Sequence, residues 1–301
     1  MKTIKNNFLV LVLALSVFSC QTSIETKAQN SKNKKPSYDL SEQFKKYWFD
    51  GKAEVTSYAL MQMRYGESRE GSAVLIFVKE PFLYKEQVKA NSSSEMSYDV
   101  MKLNSTKKFN TGIYPYSIMQ SIFSPLSMNL HASKMTASTQ EWCGQTYMQL
   151  NNREKFEIEF HSYFEGEADQ NLSLEKSVLE NEIWTKLRID PTEIKTGNQK
   201  IIPDFSYIRL KHIETKAYEA KISQQKETDT ILTKIAYTNI DRILNIYQSG
   251  SFPYQILKWE EKQSEEDKNF TTAVLQKSMM IDYWNKNSNK FEILRDSLNL
   301  K

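Results

Sequence analysis

The sequence predicts a mainly β protein, built as an antiparallel, curved or partly closed β-barrel-like sheet with a few short helices. Apolar and polar side chains alternate along much of the chain, which is the period of a half-buried strand. The 301 residues include only 8 glycines, which is typical of long strands joined by few tight turns. A sheet of so many strands must close or curl to protect its edges, and this predicts the curvature.

The first residues predict export rather than a folded element. Lys2 and Lys5 precede an apolar run, residues 8–18, that is followed by Cys20. The run has the length of a secretory signal and is shorter than the about 20 residues of a membrane-spanning helix. The segment Val17–Cys20 resembles the lipobox of bacterial lipoproteins, which implies that Cys20 carries the lipid and becomes the mature N-terminus. An uncleaved signal anchor and a secreted chain without lipid are the alternatives.

This N-terminal pattern also sets the expected domain organisation. Residues 1–19 are predicted to be a lipoprotein signal peptide. Residues 20–36 are polar and rich in lysine, which predicts a flexible tether. No break in composition divides the remainder, and residues 37–301 are therefore expected to form a single β-rich domain.

The domain is expected to begin with a short helix and a hairpin. Ser41 can cap the helix, and Gly51 can end it. Alternation over residues 55–63 predicts the first strand, and a turn over residues 65–71 separates it from an apolar second strand at residues 73–78 that Pro81 stops.

The later elements follow the same logic. Pro115 and Pro125 predict an irregular segment or a short helix between them. Residues 272–282 fit a strand or a helix, and residues 290–300 have the spacing of a short helix. Further strands are predicted at residues 146–150, 156–164, 183–189, 207–213, 217–222, 231–238, 242–247 and 254–260.

Charge and cysteine content limit the possible partners and chemistry. Lys and Arg total 40 and Asp and Glu total 37, mixed along the chain, whereas nucleic-acid binding needs a clustered basic surface. Nucleic acid is therefore not an expected partner. With Cys20 assigned to lipid, Cys143 has no partner for a disulfide, and we expect it to be a buried thiol in a strand with a bulge or a close approach at Gly144. A nucleophilic Cys143 would need a nearby histidine and a lowered pKa.

One strand carries the best candidate for chemistry. Alternation places Glu157, Glu159 and His161 on one face, where two carboxylates and an imidazole could hold a divalent metal. A solvated outer face is the competing interpretation. GxGxxG, Walker A and HExxH motifs do not occur in the sequence, so no cofactor is predicted and a non-enzymatic role is favoured over catalysis.

The function expected from these features is binding in the cell envelope. Met61, Met63 and Phe77 could line an apolar concavity for a lipid-like ligand, or could belong to an ordinary core. The expected role is that of a membrane-anchored lipoprotein that binds an apolar ligand or an envelope protein. The alternatives are a metal-dependent hydrolase that uses His161 with Glu157 and Glu159, and a structural subunit of an envelope complex.

Three internal segments add a resemblance to a family. Together with the Cys20 signal, residues 47–54 (YWFDGKAE), 64–71 (RYGESREG) and 107–116 (KKFNTGIYPY) resemble uncharacterised Bacteroidota lipoproteins. Relatives are sometimes labelled septum formation inhibitors of the Maf type, but the Ser-x-Ser-Pro-Arg-Arg-like motif of true Maf proteins does not occur here. The lipoprotein resemblance, with Gln21 rather than Asp after Cys20, implies an outer-membrane lipoprotein facing the periplasm.

Overall fold

The computed structural model of the chain describes residues 40–126 and 130–300. Cys20, the predicted signal peptide at 1–19 and the predicted tether at 20–36 lie outside these residues. Within them, no helix is both long and apolar enough to cross a membrane.

The described residues contain fifteen strands in one sheet, and its mainly β, antiparallel character confirms the predicted fold class. Neighbouring strands pair in the order β8-β7-β6-β5-β4-β3-β2-β1-β15-β14-β13-β12-β11-β10-β9, and all pairs are antiparallel except β9 with β10. The strands are β1 Ala53–Arg64, β2 Glu67–Leu83, β3 Ser97–Thr111, β4 Tyr114–Pro125, β5 Lys134–Glu141, β6 Gly144–Asn152, β7 Phe156–Ser162, β8 Gln170–Leu174, β9 Val178–Leu179, β10 Gly197–Ile202, β11 Tyr218–Lys226, β12 Thr230–Tyr237, β13 Ile243–Ser249, β14 Ile256–Lys262 and β15 Thr271–Ile281.

The connection between β8 and β9 shows that the sheet curves until its two ends face each other. These strands stand first and last in the order, yet only residues 175–177 lie between them. Such a link spans at most about 14 Å. No hydrogen bonds between strands close the gap. We call this gap, with β8 on one side and β9 and β10 on the other, the seam.

In the part of the chain that the structure describes, four short α-helices accompany the sheet: α1 Glu42–Trp48, α2 Glu180–Ile189, α3 Phe205–Lys211 and α4 Ile293–Ser297. The Ser41 side chain accepts a hydrogen bond from the Phe44 amide, which confirms the predicted cap of α1. Helix α4 confirms the short helix expected near the C-terminus. Its neighbour Leu298 packs on the outer face of the sheet with Val55 and Val78.

Two predicted strands, residues 183–189 and 207–213, were wrong because both segments are helical. Helix α2 is buried on almost every side, so its apolar residues follow no single stripe and imitate a buried strand. Its charges do follow a helix, with Glu180 and Glu182 in the first turn and Lys186 and Arg188 in the last.

Three prolines lie inside strands that they were expected to interrupt or end. Pro115 and Pro125 stand second and last in β4, rather than bounding an irregular segment. Pro81 lies inside β2, where it pairs with Asp99 of β3. Beyond the start of β1, the other side of β2 at Pro81 meets only a short segment, whose Ala90 amide donates a 2.9 Å hydrogen bond to the Pro81 carbonyl oxygen. The proline N–H is therefore missing at the edge of the long ladder, where strands tolerate proline.

Candidate functional site

Helix α2 fills the concave face of the sheet and is held there by buried ion pairs. The two terminal nitrogens of Arg188 each donate to a carboxylate oxygen of Glu54 on β1, at 2.7 Å and 2.7 Å. Both side chains are almost fully buried. Burial alone would raise the pKa of Glu54, but the Arg188 charge, with hydrogen bonds from Tyr47 and Thr56, holds it below its usual value.

A second buried pair fixes the other end of α2. Glu180 accepts hydrogen bonds from Arg242 Nε at 2.8 Å and from Tyr237 Oη at 2.8 Å. Arg242 also donates to Glu261, at 3.1 Å, and Glu261 accepts a 2.5 Å hydrogen bond from Lys107. Burial favours the neutral acid, yet Lys107 and Arg242 lower the pKa of Glu261 to about 2.

The space left beside this network is small. The cavity lined by Lys107, Glu180, Arg242 and Glu261 has a volume of about 20 Å³, room for roughly one water molecule. The concave face is thus occupied by α2 and its ion pairs, and it offers no room there for a ligand larger than water.

The three residues expected to line an apolar concavity do not come together around one. Phe77 is fully buried in the core, with its ring 6.4 Å from that of Trp48 and Arg188 stacked over it at 4.6 Å. Met61 is 37 % exposed and lies on the opposite face of the sheet from its core neighbour Leu60. Met63 is half-buried near the end of β1. Phe77 is therefore a core residue in this fold.

The predicted metal-binding trio shares one face of β7, and that face is exposed. Glu157, Glu159 and His161 alternate with buried Phe156, Ile158 and Phe160. Glu157 accepts a hydrogen bond from Ser173, whereas His161 lies 3.4 Å from Asp169. Successive side chains on one strand face stand about 6.5–7 Å apart, and the trio does not converge. Among the described residues, no three His, Cys, Asp or Glu side chains are grouped to hold a metal ion.

Cys143 differs from its expected position. It lies in the tight turn between β5 and β6 and is exposed, not buried in a bulged strand. Its amide donates to Glu141 Oε2 at 2.7 Å. The hydrogen bond and negative charge of Glu141 raise the pKa of the thiol, which is the opposite of what a nucleophilic cysteine requires.

A large open groove lies at the seam. A groove of about 1160 Å³ runs between β8 on one side and β10 and β11 on the other. Its floor includes three buried core residues, which are Ile183 of α2, Ile194 in the loop before β10, and Ile222 of β11. Half-buried Leu174 and Val178 extend the apolar lining towards the opening. Polar and apolar residues contribute about equally to its lining, and a concave site with apolar surface and a few polar groups is a candidate ligand pocket.

Basic side chains surround the groove. Lys176, Lys186, Lys195 and Lys200 line it, against Glu175 and Glu193. Glu175 already pairs with Lys155 at 2.7 Å. Lys176 and Lys195 are exposed and form no ion pair with the part of the chain that the structure describes. The rim of the groove is thus more basic than acidic.

A buried carboxylate organises one wall of the groove. Glu182 lies 2.9 Å from His131 Nδ1 and accepts hydrogen bonds from Lys186 Nζ at 2.9 Å and from the Ala132 amide at 2.8 Å. Burial would raise the pKa of Glu182, but Lys186 and His131 hold it below its usual value. Lys186 is therefore paired, and Lys200 lies 3.9 Å from Glu219. This leaves Lys176 and Lys195 as the groove lysines without an ion pair to any described residue.

Sequence reasoning missed this groove because its lining comes from separate segments that only the curvature of the sheet brings together. Compared with protein-family models, curated proteins and solved structures, the chain shows no match. The resemblance to Bacteroidota lipoproteins therefore stays an expectation from the quoted sequence segments.

Proposed function

We propose that this chain is a membrane-anchored envelope lipoprotein, tethered through Cys20, that binds an amphiphilic ligand in the groove at the seam. The ligand has an apolar chain and an anionic headgroup. The observation that carries this proposal is the combination of an isoleucine floor with unpaired lysines at the rim of a groove of about 1160 Å³.

The apolar part of the ligand would replace water over Ile183, Ile194 and Ile222. Each buried methylene contributes about 0.8 kcal/mol, so a short alkyl chain already supplies measurable affinity. The headgroup would lie near Lys176 and Lys195, whose charges are not neutralised by described carboxylates. Opposite charge at a rim mainly fixes orientation and selects among ligands.

The test compares laurate with dodecanol, which share a chain but differ in headgroup charge. We expect the full chain carrying Cys20→Ser, purified without detergent, to bind laurate at least fivefold more tightly than dodecanol by titration calorimetry. The double variant Lys176→Glu, Lys195→Glu should lose this preference and keep its affinity for dodecanol.

The matched control is Lys221→Glu, because Lys221 is exposed on the same strand as Ile222 but on its other face. It carries the same type of charge reversal and should bind both compounds as the parent chain does. Absence of binding of either compound, or equal loss in the control, would overturn the proposal. If the expected preference for laurate is found, native mass spectrometry of the chain isolated from its own membranes would identify the bound molecule.

A further inference from the structure

One end of the sheet carries a row of exposed apolar side chains. In an antiparallel meander alternate turns lie at the same end, so the β1–β2, β3–β4, β5–β6 and β7–β8 connections are neighbours. Their side chains Tyr65, Ile113, Trp142 and Tyr163 are 60 %, 85 %, 67 % and 69 % exposed. We call these four residues the hairpin rim. In the described ranges only six large apolar side chains are exposed to 60 % or more, and the rim supplies four of them.

Aromatic contacts connect the turns. The hydroxyl oxygens of Tyr65 and Tyr116 lie 3.0 Å apart. The Tyr116 ring is 5.9 Å from that of Tyr114, which in turn is 6.4 Å from the ring of Trp142. Contacts through Tyr114 and the buried Tyr116 therefore connect the turn of Tyr65 to that of Trp142.

The row continues beyond Trp142 to the β7–β8 connection. The Tyr163 ring lies against Gly144, the first residue of β6, so closely that a Cβ on Gly144 would stand 2.8 Å from it. Glycine at this position lets Tyr163 approach the turn that carries Trp142. Exposed apolar side chains grouped at one end of a fold indicate a site of interaction.

The charges beside the rim do not favour one sign. Exposed Lys108 and Lys211 lie at this end of the sheet, as do exposed Glu165 and Asp169. A partner selected by charge, such as an acidic protein or a strongly anionic surface, is therefore not indicated. Whatever covers the rim must be attracted by its apolar and aromatic character.

We propose that the hairpin rim inserts into the interfacial region of a lipid bilayer. Tyr and Trp join an apolar ring to a polar group and concentrate where membranes meet water. Each rim side chain projects from its own turn, and such separate projections suit a deformable lipid surface. The most exposed of them, Ile113, is purely aliphatic, so its transfer from water to lipid removes no polar side-chain group from water.

The predicted anchor makes a bilayer the nearest available surface, and this part of the reasoning rests on the proposed lipid at Cys20. The chain between Cys20 and Leu40 extends at most about 70 Å, which confines the sheet near the membrane and raises its effective concentration there. Stable membrane attachment generally needs two signals. The rim would be the second signal, and it would orient the sheet on the lipid.

The experiment measures binding of the full chain carrying Cys20→Ser to phosphatidylcholine vesicles by flotation. Without the anchor we expect measurable binding that is insensitive to salt between about 50 and about 500 mM, because the rim binds through apolar contacts. Binding by Coulombic attraction would instead weaken over this range, because salt screens it. Ile113→Ser with Trp142→Ser should weaken binding at least tenfold. The matched control, Met96→Ser with Ile293→Ser, removes two similarly exposed apolar side chains elsewhere and should change binding less than twofold.

A second readout does not depend on affinity. Brominated phosphatidylcholine should quench tryptophan fluorescence of the Cys20→Ser chain, and Trp142→Phe should abolish the quenching while binding persists. The proposal is overturned if the Cys20→Ser chain does not bind vesicles, or if the control loses as much binding as the rim variant. Laurate titration of the rim variant separates this surface from the groove, since the groove should bind laurate unchanged.

Discussion

Replacing Arg188 by methionine should destabilise the fold more than any surface change, because it leaves the buried Glu54 carboxylate without its ion-pair partner. Arg188 donates two 2.7 Å hydrogen bonds to Glu54 and a third, at 3.0 Å, to the Pro253 carbonyl oxygen. Without the guanidinium, Glu54 keeps only its hydrogen bonds with Tyr47 and Thr56. Removing one partner of a buried ion pair costs about 3–5 kcal/mol. For a chain of this size that corresponds to a fall in Tm of roughly 10 °C.

The assay is urea unfolding at pH 7, compared with a double variant that removes both charges. In Glu54→Gln with Arg188→Met no unpaired ion remains, and the free energy of unfolding should recover to within about 2 kcal/mol of the parent chain. A loss below about 1 kcal/mol in Arg188→Met, or a double variant less stable than that single variant, would refute the reasoning.

The pH dependence of the free energy of unfolding tests independently whether Arg188 lowers the pKa of Glu54. The folded pKa of Glu54 lies below its usual 4.5, so the pair contributes stability above pH 4.5 and loses it as pH falls through the folded pKa. In Arg188→Met burial outweighs the remaining hydrogen bonds from Tyr47 and Thr56 and raises the Glu54 pKa, and protonation then relieves the penalty. The stability gap between the parent chain and Arg188→Met should therefore be widest near pH 7 and narrow below about pH 4.5.

Two further predictions concern the reactivity of the Cys143 thiol and the close packing of Gly71 against the backbone of Lys108. Because Glu141 raises the pKa of the Cys143 thiol, Glu141→Gln should speed alkylation by iodoacetamide at pH 8 severalfold, and an unchanged rate would contradict the assigned contact. A Cβ on Gly71 would collide with the backbone carbonyl of Lys108, so Gly71→Ala should cost about 1–3 kcal/mol in urea unfolding. Gly166→Ala, where a Cβ meets open space, should cost less than about 0.5 kcal/mol, and equal losses in the two would show that the collision is not the cause.

The sheet could be predicted from sequence because its strands expose one face and bury the other. In β12, for example, the buried residues Ile231, Thr233, Ile235 and Tyr237 alternate with less buried ones, and the strand predicted at residues 231–238 matches it closely. The hairpin turn was placed too broadly at residues 65–71. The structure turns at Tyr65 and Gly66 alone, because both adopt positive φ, 55° and 76°.

Helix α2 and the seam groove could not be predicted from the sequence, each for its own physical reason. A helix enclosed by a sheet shows no amphipathic stripe, so periodicity alone cannot separate it from a buried strand. The groove depends on the short link at residues 175–177, which brings the two ends of a fifteen-stranded sheet together. Such closeness between the first and last strands of a sheet has no local signature. The lysines that line the groove look like ordinary solvated residues in the sequence.

The groove itself is tested most directly by filling it without changing its charge. Ala217 is half-buried and lines the groove, and Ala217→Trp would place an indole in the space assigned to the ligand chain. Calorimetric titration of the Cys20→Ser chain should show laurate affinity reduced at least tenfold by this substitution, with the urea unfolding midpoint unchanged. Laurate binding of equal strength in the two chains would contradict the assignment of the seam as the ligand site.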